Sequence, residues 1–109
     1  MAKRIKFTFE DNDYTLEFTR RTVREMEREG FIAEKANETP MTSLPKMFAG
    51  SFKAHHKYVK PDVIEKIFAQ IGEKEDLFSQ LVEMYNETLE TLFEEPEDNE
   101  KKIQWKTDF

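Results

Sequence analysis

The sequence predicts an α+β domain, an N-terminal antiparallel β-hairpin packed on about four α-helices. Two short N-terminal segments alternate polar and apolar residues, four later segments carry apolar residues at helical spacing, and turn formers or prolines separate them. Lys3-Arg4-Ile5-Lys6-Phe7-Thr8-Phe9 places Ile5, Phe7 and Phe9 on one face of a strand. Asp11-Asn12-Asp13 supplies a turn, and Tyr14-Thr15-Leu16-Glu17-Phe18 resumes the alternation with Tyr14, Leu16 and Phe18 inward. A lone hairpin is marginal in water, so its apolar face requires the helices that follow.

Thr19 suits the N-cap of a first helix over Arg20–Glu29, which Gly30 can end in a left-handed conformation. Its apolar stripe is thin, Val23 and Met26 flanked by Phe18 and Phe31. Residues Ala33–Thr42 contain Pro40, show no period and read as a loop. A second helix is expected over Leu44–Lys60, with Thr42 or Ser43 as cap and Pro45 in the first turn. Its stripe is Leu44, Met47, Phe48, Ser51, Phe52, His55, Tyr58 and Val59. Gly50 sits inside it, where a close helix approach or a contact surface would justify a residue that costs about 1 kcal/mol relative to Ala. Pro61 starts a third helix with Val63, Ile64, Ile67, Phe68 and Ile71 inward, and Gly72 is its expected stop. The longest helix is expected over Lys74–Glu94, carrying Leu77, Phe78, Leu81, Val82, Tyr85, Leu89, Leu92 and Phe93. Residues 1–94 thus form the domain, and 95–109 an acidic tether ending in Ile103–Phe109, whose alternation suits a further short strand.

Composition bounds the function. The 109 residues hold 17 basic and 23 acidic side chains, a formal net charge of −6, and no cysteine. One small core is all such a chain can build, and neither a disulfide framework nor a thiolate metal site is available to it. No apolar run approaches a bilayer span and no signal peptide is expected. Charged residues make up 37%, but ten Phe and an aromatic content of 13% argue against disorder and for a Phe-rich core. Catalytic chemistry is hard to place. His55 and His56, the only histidines, are adjacent and point about 100° apart on a helix, which does not suit one metal. His55 lies within the apolar stripe, as a core histidine bonded to backbone or a Tyr would, with His56 at its edge. The three glycines are too far apart to cradle a phosphate, and the carboxylates occupy wet faces. No catalytic, cofactor-binding or metal-ligating residue is assigned, and a non-enzymatic binding or assembly module remains.

The charge is uneven. Residues 1–60 hold 12 basic and 9 acidic side chains, whereas residues 61–109 hold 5 and 14. Arg20, Arg24 and Arg28 form one column on the first helix, starting where the helix dipole disfavours cations; pairing with Glu25, Glu27 and Glu29 is the alternative reading. Lys46, Lys53, Lys57 and Lys60 lie opposite the second stripe. Glu83, Glu87, Glu90 and Glu94 recur on the last helix without a cation between them. Two ridges facing away from one core can meet only between copies, as a heterologous contact; two solvated faces are the alternative. Trp105 and Phe109 are further contact candidates, through strand addition at the hairpin edge of the same or another chain; a disordered terminus with an incidental Trp is the alternative. The net charge works against nucleic acid as a partner.

The segments KFTFEDNDYTLEFTRRTVREMEREGF, PMTSLPKMFAGSFKAHHKYV and LVEMYNETLETLFEEPE, in this order and spacing, resemble a family of small tail assembly chaperones of long-tailed phages and prophages of Gram-positive bacteria. The resemblance runs from about Lys6 to Trp105 and carries no catalytic motif. It implies a non-enzymatic assembly factor in the host bacterial cytoplasm that binds the tape-measure protein, with tail-tube protein as a second client. It also implies a longer frameshifted product, for which Glu100-Lys101-Lys102 offers an A-rich coding run. A structural protein of the virion tail or its completion complex is the alternative.

Overall fold

The structure, a computed structural model, describes residues 3–94 and 102–108. It has the expected architecture, an N-terminal two-stranded antiparallel hairpin followed by four helices. Strand β1 spans Ile5–Phe9 and β2 spans Asn12–Leu16, paired from Ile5↔Leu16 to Phe9↔Asn12. The turn is two residues long and sits at Glu10-Asp11, both with positive φ (48° and 65°), one step earlier than the Asp11–Asp13 cluster suggested. Both signs match the primed turn whose twist suits a hairpin. This register sets Phe7 against Tyr14, rings stacked at 5.3 Å, and lets Thr8 Oγ1 donate to Asp13 Oδ1 at 2.7 Å.

Helix α1, Arg20–Arg28, starts at Thr19 with a capping box: Thr19 Oγ1 accepts the Thr22 N–H while Thr22 Oγ1 accepts the Thr19 N–H. Gly30 ends it at φ 94°, and Phe31 N–H reaches back to the Met26 carbonyl. The expected loop then holds a short 3-10 turn at Ala33–Lys35.

Helix α2 departs furthest from expectation. It spans Pro40–Ser51, so the N1 proline is Pro40 and Pro45 lies inside the helix. The donor missing at Pro45 is tolerated on a turn whose Met41, Thr42 and Pro45 are all exposed and where water can reach the backbone. Its end comes nine residues before Lys60. The Ser51 carbonyl, which a longer helix would offer to residue 55, accepts the Glu17 N–H of the hairpin segment instead, at 3.0 Å. Residues 52–59 form tight turns, held by His56 N–H to the Phe52 carbonyl (2.7 Å) and Val59 N–H to the His56 carbonyl (3.1 Å). Tyr58, placed on the stripe by helical arithmetic, is consequently 87% exposed.

Helix α3, Pro61–Gln70, buries Ile67 and half-buries Val63, Ile64 and Phe68. The left-handed residue after it is Glu73 (φ 52°), not Gly72. Helix α4, Lys74–Thr91, buries Leu77, Leu81, Met84 and Tyr85 and stops three residues short of Glu94. No helix among the described residues is long and apolar enough to cross a membrane.

Aromatic rings dominate the core, as the ten phenylalanines foreshadow. Phe52 meets Phe7, Tyr14 and Phe48 edge-on, and Tyr85 lies between Phe18 (5.3 Å) and Phe31 (5.2 Å). Gly50 does mark a close helix approach: a Cβ there would stand 2.6 Å from Met26 Sδ of α1. Tyr85 Oη is buried and makes no hydrogen bond among the described residues, and burial, assisted by the Glu27 carboxylate, pushes the phenol up to about 12. An unpaired buried hydroxyl opposes folding, whereas its ring supports it. Tyr85→Phe is therefore expected to leave stability unchanged or raise it by up to about 1 kcal/mol. Tyr85→Ala should lose about 3–5 kcal/mol; urea denaturation of both variants checks the contrast.

Candidate interaction surface

The arginine column divides by role. Arg20 reaches from the first turn of α1 to the end of α4, where its Nε donates to Thr91 Oγ1 at 2.9 Å and its Nη2 to the Thr91 carbonyl. A cation at an α4 carbonyl end is favourable, which explains a residue that is misplaced with respect to α1 alone. Arg24 lines a small cleft with Val23 and Leu92 beside the same junction, and Arg28 occupies the last turn of α1, where the dipole favours it. The ion pair seen within α1 is Arg21 with Glu25, 3.7 Å apart and exposed, a contact of little energetic weight.

The lysine ridge is not a ridge, because α2 ends before three of its members. Lys46 lies on α2, Lys53 and Lys57 on the turns after it, and Lys60 at the N-cap of α3. Lys46 and Lys53 share a cleft with Glu25 of α1 and with Glu29 at its C-cap, and Lys57 Nζ stands 5.2 Å from the Tyr58 ring. The turns fold α3 back beside α2 and open a groove of about 570 Å³ between them. Phe48, Ala49, Val59, Ile64 and Phe68 give it an apolar lining, and Lys53, Lys57 and Glu65 add charge.

The acidic ridge is partly answered within the chain. Lys3 Nζ lies 3.2 Å from Glu83 Oε2, a cation the wheel arithmetic could not supply. Glu87, half-buried, Glu90 and Glu94 line a hollow of about 530 Å³ together with Lys3 and Thr91. Beside them Leu92 and Phe93, expected inward on the α4 stripe, are 67% and 82% exposed, because the helix has ended and passes beyond the core. The expected tail strand is absent from residues 102–108: no strand forms there, and Ile103 and Trp105 are 86% and 83% exposed. On the outer edge of β2 the Thr15 N–H is already taken by His56 of the turns after α2. Phe109 and the acidic tether 95–101 fall outside the described residues.

The profile of a family described as a domain of unknown function, DUF5055, matches residues 1–109. The chain belongs to the DUF5055 family. No curated protein matches it. No solved structure matches it either.

In this DUF5055 chain a polar cluster holds the surface in place, and the sequence pattern hid most of it. Glu17, outward by strand alternation, is only 8% exposed. Its Oε1 meets His55 Nε2 at 2.6 Å and Arg4 Nε at 3.2 Å. The two histidines exchange the expected roles: His55 is the more exposed, and His56 Nε2 accepts the Thr15 N–H at 2.9 Å while its ring packs on Tyr14 and Phe52. Adjacent histidines beside a Phe-rich stripe were the available signal. Among the described residues no three His, Asp or Glu side chains gather as a metal site.

Accepting the Thr15 N–H requires His56 Nε2 to be unprotonated. Burial first, and the neighbouring His55 second, hold its pKa below the ordinary 6.5. The unfolded chain therefore takes up the proton more readily, so this contribution to stability is present above pH 6.5 and is lost as pH falls through 6.5 toward the lower folded value. The melting temperature is expected to decline from about pH 7.5 to about pH 5.5, and His56→Gln, which keeps an acceptor but cannot titrate, should decline less. Equal slopes by circular dichroism would remove His56 from the account.

Proposed function

We propose that this protein is a non-enzymatic tail assembly chaperone of a long-tailed phage or prophage, acting in the host bacterial cytoplasm. Its client is the tape-measure protein, with tail-tube protein as a second client. The observation that carries the reading is the α2–α3 groove, an open apolar trough of about 570 Å³ on a small domain, rimmed by Lys53 and Lys57. Such a trough suits the apolar face of an amphipathic client helix whose polar edge is acidic. The resemblance of three long segments to tail assembly chaperones supports the choice of client, and the apolar lining of the groove supports helix binding.

Co-expression with the tape-measure protein of a long-tailed phage or prophage that encodes this chain tests the proposal. The two should co-purify, and Ala69→Arg, an exposed α3 position lining the groove, should weaken the complex at least tenfold without loss of helicity. No complex with wild-type protein, or a fixed copy number of this protein in purified particles, would overturn the proposal, and the second result would favour a virion structural protein.

A further inference from the structure

Two separate surfaces of the molecule complement each other. At the end of α4, the neighbours Leu92 and Phe93 form an exposed apolar knob, with the exposed carboxylates Glu90 and Glu94 on the side of the Lys3 hollow and Arg20 and Arg24 on the side of the Leu92 cleft. Between α2 and α3 lies the groove, apolar along Phe48, Val59, Ile64 and Phe68, with two lysines against one carboxylate in its lining. Apolar surface meets apolar surface, and the Glu90 and Glu94 side of the knob meets a lining with an excess of cations.

Within one chain the knob cannot reach the groove. Lys74, the first residue of α4, has its Nζ 5.4 Å from the ring of Phe68 in the groove wall. Eighteen residues of α-helix, roughly 27 Å at 1.5 Å per residue, separate that point from the knob. The Arg20 bonds to Thr91 further fasten the far end to α1. The complement must therefore come from another copy.

We propose that the Leu92–Phe93 knob of one copy seats in the α2–α3 groove of a second copy. Glu90 and Glu94 of the first then face Lys53 and Lys57 of the second. The contact is heterologous, since each copy keeps one free knob and one free groove, so it propagates head to tail and closes into a ring only if the rotation allows. Two side chains and a charged rim make a small interface, at the weak end of specific contacts, and the charged part is screened by salt. This inference is independent of the client reading, although a client helix in the groove would compete with the knob.

Sedimentation of the purified full chain, without any client, tests it. The weight-average mass should rise above the monomer's 13.1 kDa between micromolar and millimolar protein, pass the dimer value, and fall back when salt is raised. A knob variant, Leu92→Ser with Phe93→Ser, and a groove variant, Lys53→Glu with Lys57→Glu, should each remain monomeric. All four positions are exposed, and an unchanged circular dichroism spectrum confirms the fold. Mixed together, the two variants retain one intact groove and one intact knob, and should form a 1:1 heterodimer that grows no further. Wild-type protein that stays monomeric at the highest concentration, variants that still associate, or a mixture that stays monomeric would each overturn the proposal.

Discussion

The outer edge of β2 sets the constraint on which the rest of the molecule depends. A two-stranded hairpin leaves one row of backbone donors on that strand without a neighbour. Here the Thr15 and Glu17 N–H groups are taken by the His56 imidazole and the Ser51 carbonyl, and the Glu17 carboxylate binds His55. Helix α2 gives up its continuation to make these bonds. Because it stops at Ser51, the chain turns through residues 52–59 and brings α3 back beside α2, and the groove exists only for that reason.

A similar exchange operates at the other end. Arg20 contradicts the dipole of its own helix and satisfies the carbonyl end of another, so a local penalty becomes a tertiary bond. Lys3 does the same for the acidic face by pairing with Glu83. Charges that look unmatched along the sequence are thus partly matched in space. Leu92, Phe93, Glu90 and Glu94 are on the surface at the end of α4, beyond the described core.

Proposals for client binding and for self-association both draw on the same groove, but through different parts of the chemistry. The client reading needs an apolar trough open to an amphipathic helix. Self-association needs that trough and, in addition, a complementary apolar and acidic end on the same polypeptide.

The sequence by itself determined the elements whose cause is local. Alternation specified the hairpin, Thr19 and Gly30 bounded α1, Pro61 began α3, and 3.6-residue spacing marked Leu77, Leu81 and Tyr85 of α4 for burial. Gly50 signalled a close helix approach or a contact surface, and the structure shows the approach, to Met26 of α1. Tertiary structure decided whatever depended on a distant partner: the end of α2, the exchange of roles between His55 and His56, the burial of Glu17, the use of Arg20 and the exposure of Phe93. Periodicity records which face of a helix is apolar, but it carries no information about which carbonyl a remote backbone N–H will claim. For that reason the lysine ridge dissolved and the groove, invisible along the chain, appeared in its place.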